Sequence, residues 1–188
     1  MKMKSNSIRR ISAKPRFRSR PQRQSGFTLI ELLLYLGMAA FLLLATSGFL
    51  ALLLQSKAKN QTIAEVEQQG LQVVQLMTQT IRNGELITAP AQSSSGSSLT
   101  LDVVDSADDP TIFDEASGVL RVQEGASQVI ALTNNRVVAS GLTFQNVSRQ
   151  DTPGIVRISF VLTHVNPRDR NEFSFSKTFV ASAALRHP

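Results

Sequence analysis

Gly26-Phe27-Thr28-Leu29-Ile30-Glu31 is followed directly by 23 residues, 32–54, that contain no charge and no proline. As an α-helix, this run would extend about 35 Å, which exceeds the roughly 30 Å hydrocarbon thickness of a bilayer. Glu31 lies at the head of the run, where a carboxylate in apolar surroundings costs as much as about 3 kcal/mol. The sequence therefore predicts a membrane-spanning helix whose one charged residue has a partner and a function.

The same stretch, preceded by a basic leader, resembles the processing and assembly motif of type IV prepilins and of type II secretion pseudopilins. In that family a membrane peptidase cuts after the glycine and N-methylates the new first residue. The resemblance implies that the scissile bond joins Gly26 to Phe27, that Phe27 is methylated, and that Glu31 is the assembly carboxylate at mature position five. A looser similarity of residues 71–86 is to the J-type pseudopilins and related minor pilins.

Cleavage before Phe27 would create an α-amino group, of pKa about 8 and therefore mostly cationic, four residues from Glu31. A buried carboxylate costs far less when a cation neutralises it. The amine could belong to the same chain or to a neighbour, and spacing alone does not distinguish them. The resemblance implies that a pair between subunits sets the axial register during assembly.

The charge distribution identifies residues 1–26 as a separate leader. The chain has a formal net charge of +6, yet nine of its 20 Lys and Arg residues and none of its acids lie in this segment. From residue 27 onward, 11 basic and 14 acidic residues leave a net charge of −3. A basic flank holds the N-terminus of a membrane helix in the cytoplasm, so everything after residue 54 is expected outside. A nucleic-acid-binding arm or a targeting address is the less favoured interpretation of the arginines.

Residues 55–84 continue the helical pattern with a different character. Apolar residues recur at steps of three and four between lysine, glutamate and glutamine, at Ile63, Val66, Gly70, Val73, Val74, Met77 and Ile81. This spacing predicts an amphipathic helix with one buried stripe. We expect one helix from about Phe27 to Arg82, ended by a left-handed cap at Asn83 and Gly84.

Residues 85–188 alternate as β-structure does. The stretches 89–98 and 105–115 are expected to be loops, and a hairpin is expected to turn at residues 124–126. The predicted strands are 99–104, 119–122, 128–132, 136–138, 142–147, 155–165 and a last one containing Phe173, Phe175 and Phe179. The predicted fold class is α+β: a long N-terminal helix whose outer half packs on a C-terminal antiparallel β-sheet domain.

The sequence offers no candidate for catalysis. It contains no cysteine and only two histidines, His164 and His187. His164 has the strand parity of apolar neighbours, which favours a structural role, and His187 is next to the C-terminus. Six acidic residues could supply oxygen ligands to calcium but lack EF-hand spacing, so a solvated loop is favoured: Asp102, Asp105, Asp108, Asp109, Asp114 and Glu115. We predict no enzyme activity, metal, cofactor or small-molecule substrate.

These patterns predict four segments: leader 1–26, membrane and assembly helix 27–54, amphipathic helix 55–84 and sheet domain 85–188. The resemblance implies a minor pilin or pseudopilin of a type IV pilus or secretion pseudopilus. Its partners would be prepilin peptidase/N-methyltransferase, other pilins or pseudopilins, the inner-membrane assembly platform and the lipid bilayer. It would be a single-pass inner-membrane protein before it joins an extracellular or periplasmic filament. The alternative is a single-pass, membrane-anchored binding or adhesion module that does not polymerise.

Overall fold

The computed structural model describes residues 26–186, so most of the predicted leader, and His187, lie outside the described residues. The described part of the chain divides into two units, with the boundary between Thr46 and Ser47. The α-helix α1 runs through Leu29–Asn83, within two residues of its predicted start and end. The expected α+β architecture, a long helix packed on antiparallel β-structure, is confirmed.

In the described part of the chain, nine strands follow the helix and form two antiparallel sheets rather than the one sheet expected. Their bounds are β1 Gly84–Ala89, β2 Ser95–Gly96, β3 Leu99–Val103, β4 Thr111–Ala116, β5 Val119–Glu124, β6 Ile130–Ala131, β7 Val137–Asn146, β8 Ile155–His164 and β9 Ser176–Ala184. The first sheet has the order β1-β3-β4-β5-β6 and the second β2-β7-β8-β9. The predicted hairpin between β5 and β6 is confirmed, with Gly125 in the left-handed region at a φ of 53°.

The second unit has a core that joins α1 to both sheets. The predicted stripe is buried at Val66, Gly70, Val73, Met77 and Ile81. It packs on inward-facing residues of the strands, namely Leu99, Leu101, Phe113, Leu120, Val122, Phe144, Val156, Ile158, Phe160, Leu162 and Phe179. The parity predicted for β8 is confirmed, because its buried residues alternate with the less buried Arg157, Ser159 and Thr163.

The end of the helix differs from the prediction. Neither Asn83 nor Gly84 has a positive φ; instead Gly84 begins β1 and pairs with Val103. Gly84 is buried, and a Cβ built on it would lie 3.3 Å from the Leu185 side chain. The chain therefore leaves the helix directly into a strand, and close packing accounts for the glycine better than a left-handed cap.

Part of the predicted acidic loop is a strand. In β4, Thr111 and Phe113 face the core, while Asp114 points outward and meets Arg121 across the β4–β5 pair with 2.6 Å between Oδ2 and Nη2. The cross-strand ion pair explains how an acidic sequence can occupy a strand. The expected loop 89–98 likewise contains the short strand β2 and the last residue of β1.

Two other strand boundaries were predicted wrongly. The stretches 136–138 and 142–147 belong to one strand, β7, interrupted by an irregularity where Gly141 has a φ of 65°. The last strand starts at Ser176, so Phe173 lies in a short 3-10 turn and Phe175 precedes the strand. Of the three phenylalanines, Phe179 alone is a buried member of β9.

At Gly70, α1 lies so close to the second sheet that a side chain there has no room, which leads to a prediction about stability. A Cβ at Gly70 would lie 2.0 Å from Cζ of Phe179, whose ring stacks on Phe160. Alanine improves helix propensity by about 1 kcal/mol, but overpacking a core costs about 1–3 kcal/mol. We expect Gly70→Ala to lower the denaturation midpoint of the full chain in detergent, followed by circular dichroism.

Gly48→Ala in the same helix is the matched control, because a Cβ there would meet nothing within 4 Å. It should leave the midpoint unchanged or raise it slightly. Equal midpoints for the two variants would show that the Phe179 ring moves aside at little cost, and would contradict the prediction.

Candidate functional site

The start of α1 is fixed by a side-chain cap. The Thr28 hydroxyl oxygen accepts the backbone N–H of Glu31 at 3.3 Å, and the Thr28 carbonyl accepts the N–H of Leu32 at 3.1 Å. Threonine with a glutamate three residues later is the capping-box sequence, which satisfies donors that a helix start leaves free. The cap places Gly26 and Phe27 outside the helix.

The peptide bond between Gly26 and Phe27 is accessible. Both residues are exposed, Phe27 at 73%, and a Cβ built on Gly26 would meet nothing within 4 Å. The described chain therefore places no steric demand on the side chain at position 26. Any requirement for glycine there must come from a molecule that acts on this bond.

Phe27, Glu31 and Tyr35 lie at successive four-residue steps, and Tyr35 contacts each of the other two. The Tyr35 hydroxyl donates to Oε1 of Glu31 at 3.4 Å, and the rings of Phe27 and Tyr35 meet edge to face with centroids 6.1 Å apart. Sequence analysis missed Tyr35, although side chains four residues apart on a helix are neighbours. The hydroxyl is the one side-chain donor to Glu31 among residues 26–186.

Glu31 has no cationic partner within residues 26–186 of the uncleaved chain. The nitrogen of Phe27 is an amide nitrogen bonded to Gly26, and an amide carries no positive charge. A charge pair between Phe27 and Glu31 therefore requires that the bond before Phe27 be broken first.

The apolar part of α1 is uncovered by the rest of the described chain. Its most apolar window has a mean hydropathy of 2.2 and is 0% buried, and α1 is the one described helix long and apolar enough to cross a membrane. Exposed leucines and phenylalanines extend from Phe27 to Leu54. Soluble proteins rarely expose so large an apolar surface, so this segment indicates a membrane-anchored protein.

His164 lies in a mostly buried contact between α1 and the second sheet. Its ring stacks on Phe173 with centroids 5.9 Å apart, its Nε2 is 3.8 Å from a carboxylate oxygen of Glu65, and the side chain is 13% exposed. Its Nδ1 is buried without a hydrogen-bond partner in the described part of the chain. The surroundings are those of a packing residue, which agrees with the structural role favoured from sequence.

Asp102, Asp105 and Asp109, from the acidic stretch for which a solvated loop was favoured over calcium binding, each make a separate local hydrogen bond. Asp102 accepts from the Thr88 hydroxyl, Asp109 from the Val103 N–H and Asp105 from the Ala107 N–H. Asp114 accepts two hydrogen bonds from the Arg121 guanidinium, and these bonds raise the pKa of Arg121. Between residues 26 and 186, no three acidic or histidine side chains converge as a metal site would require.

In the comparison with protein families, residues 21–47 match the model described as "Prokaryotic N-terminal methylation motif". No curated protein and no solved structure matches the chain significantly. The matched segment contains the exposed bond between Gly26 and Phe27, the capped helix start and Glu31. It indicates a type IV pilin-type precursor of the kind that prepilin peptidase processes.

Proposed function

We propose that this chain is a structural subunit, a minor pilin or pseudopilin, of a type IV pilus or a type II secretion pseudopilus. Prepilin peptidase cuts the bond between Gly26 and Phe27 and methylates the new N-terminus. An inner-membrane assembly platform then lifts the subunit into a filament of similar helices. The observation that carries the proposal is the accessible methylation motif at the head of an entirely uncovered apolar helix.

Charge neutralisation links processing to assembly. Glu31 is the one charged residue between positions 27 and 56, so an apolar helix bundle that accepts α1 must also accept this carboxylate. The amine that cleavage creates on Phe27 is the nearest source of a cation. An ion pair between this amine and Glu31, of the same or a neighbouring subunit, removes most of the burial cost of both groups.

Tyr35 gives Glu31 a second, uncharged partner. Its hydroxyl already contacts the carboxylate before cleavage, so Glu31 retains one hydrogen bond while its subunit is stored in the membrane. A tyrosine hydroxyl cannot neutralise a charge, and it leaves the need for the amine in place. Tyr35 therefore positions Glu31, whereas the Phe27 amine neutralises it.

The first test concerns cleavage. Gly26→Val should leave the precursor uncut in the membrane, because the peptidase must approach the backbone at this residue. The described chain itself tolerates a side chain there, so failure to fold does not explain the result. Intact mass spectrometry of the membrane-extracted protein checks whether the leader remains.

Gly37→Val is the matched control for cleavage, since a Cβ at Gly37 also meets nothing within 4 Å. It should be processed normally, with a methylated Phe27 as first residue. Normal processing of Gly26→Val would contradict the assignment. An intact Met1 in the unaltered protein would instead favour a membrane-anchored binding module that is not polymerised.

The second test concerns Glu31. Glu31→Val should insert and be cleaved normally, because it makes the helix more apolar and leaves Gly26 unchanged. It should fail in assembly, where the Phe27 amine would enter the bundle without a counter-charge. Breaking a buried ion pair costs about 3–5 kcal/mol, so the ratio of filament to membrane protein should fall about a hundredfold or more.

Glu31→Gln should fall between Glu31→Val and the unaltered protein, since it keeps hydrogen bonding without the charge. Tyr35→Phe is the control that separates neutralisation from positioning: it removes the hydroxyl, keeps the ring beside Phe27 and should retain most assembly. Quantitative immunoblots of sheared filaments and membranes give the ratio. Equal ratios in all four proteins would remove Glu31 from the assembly mechanism.

A further inference from the structure

The turn formed by residues 166–174 is fastened to α1 near the end of the apolar run. Nζ of Lys59 donates to the backbone carbonyls of Asn171, at 3.1 Å, and Ser174, at 2.6 Å. Within the turn, the Asn166 amide donates to the carbonyl of Arg170 and accepts its N–H. The turn is therefore held both internally and against the helix.

This attachment places the turn beside the membrane surface. Lys59 follows Leu54, the last residue of the apolar run, by five positions, or about 7.5 Å along the helix axis. The polar headgroup layer is about 5–8 Å thick on each side of a bilayer. The turn is thus at headgroup height when the helix is inserted to Leu54.

The turn presents cations around a small cavity. A cavity of about 280 Å³ is lined by Arg168 and Arg170 together with uncharged side chains and His164, and no acidic residue lines it. Arg168 is exposed and has no hydrogen-bond or ion-pair partner among residues 26–186. Arg170 packs over the Phe173 ring at 5.3 Å and bonds Glu172. Arg168 is therefore the cation available to a ligand.

The surrounding surface is positive as well. The turn and the lysine bonded to it carry three basic residues, Lys59, Arg168 and Arg170, and two acidic residues, Asp169 and Glu172, which leaves a net charge of +1. Basic groups next to a membrane helix attract anionic headgroups, and guanidinium groups match phosphate geometry. The adjacent apolar helix end selects a lipid, rather than a soluble anion, as the source of that phosphate.

We propose that the turn 166–174 rests on the membrane surface and that Arg168, at the mouth of this cavity, binds the headgroup phosphate of an anionic phospholipid. The inference rests on the membrane anchoring in the proposed function and adds a lipid contact made by the sheet domain. The contact holds the stored subunit in one orientation and must break when the subunit is extracted.

The absence of native cysteine allows single-cysteine reporters in the full chain. Ser174→Cys reports on the turn, and Ser106→Cys is its matched control near the far end of α1, where Asp105 and Arg82 line one cavity. Each protein, carrying a fluorophore, is reconstituted in phosphatidylcholine–phosphatidylglycerol bilayers with a trace of headgroup-spin-labelled lipid. We expect strong quenching at position 174 and little at position 106.

Lipid selectivity is measured by comparing quenching from spin-labelled phosphatidylglycerol with quenching from spin-labelled phosphatidylcholine. The glycerol lipid should quench position 174 more, and Arg168→Gln should reduce this preference about fivefold, as expected for one interfacial charge. Arg149→Gln, at an exposed arginine outside the turn, should leave the preference unchanged. Equal quenching by the two lipids, or no effect of Arg168→Gln, would overturn the proposal.

A third reporter separates this inference from the proposed function. Ser47→Cys lies within the apolar run and should be quenched by acyl-chain-labelled lipid. Quenching at position 47 but not at position 174 would overturn the lipid contact alone. A lack of quenching at position 47 would overturn the membrane helix itself, and the lipid contact with it.

Discussion

The burial requirement of the uncharged run 32–54 is the constraint on which the other features depend. Nothing in the described chain covers this surface. Moving one leucine side chain from water into an apolar environment is favourable by about 1.5–3 kcal/mol. The segment is therefore stable only in a membrane or among other apolar helices. Those two environments share a low dielectric, so both impose the same cost on Glu31. The low-dielectric environment that stabilises the apolar helix therefore destabilises the ionised carboxylate of Glu31.

The remainder of α1 meets a different constraint, because one face packs on the sheets. Apolar positions at three- and four-residue steps supply most of that contact, but polar groups complete it. The side-chain oxygen of Gln69 accepts the N–H of Asn134 at 3.1 Å, and Glu65 accepts from Arg136 at 3.3 Å. These bonds fasten the turn before β7 to the helix and fix the rotation of the stripe. The polarity of α1 thus changes along its length, from a first part suited to an apolar environment to a second part with one face on the sheets and the other in water.

Sequence patterns predicted the elements that have strong periodicity. The uncharged run, the stripe from Val66 to Ile81 and the alternation in β8 each repeat often enough to exclude other structures. The start of the helix could have been predicted more closely, since Thr28 and Glu31 form a capping-box sequence. The contact between Glu31 and Tyr35 was also available from the four-residue spacing.

What the sequence could not predict depends on partners distant in the chain. The division into two sheets rather than one follows from strand pairings that no local pattern contains. Strand β4 is a different case, because the acidic residues around it favoured a loop although Arg121, the partner of Asp114, lies in the very next strand. Gly84 resembled a helix cap because its close neighbour Leu185 is about a hundred positions away. The same limit applied to the turn 166–174, whose position beside Lys59 is a long-range contact between backbone carbonyls and an amine.

If the bond before Phe27 is cut as proposed, a single reaction changes both charges that govern the helix. Before cleavage, nine basic residues hold the N-terminus on one side of the membrane. Within residues 26–186, the side-chain partner of Glu31 is then the Tyr35 hydroxyl, which carries no charge. Cleavage removes those nine charges and replaces them with one amine, four residues from the carboxylate. The barrier to drawing the helix out of the bilayer falls at the moment when Glu31 gains a counter-charge. Under this proposal, two features keep an uncut subunit out of the filament. Its leader cations oppose extraction from the bilayer, and Glu31 lacks the counter-charge of a Phe27 amine.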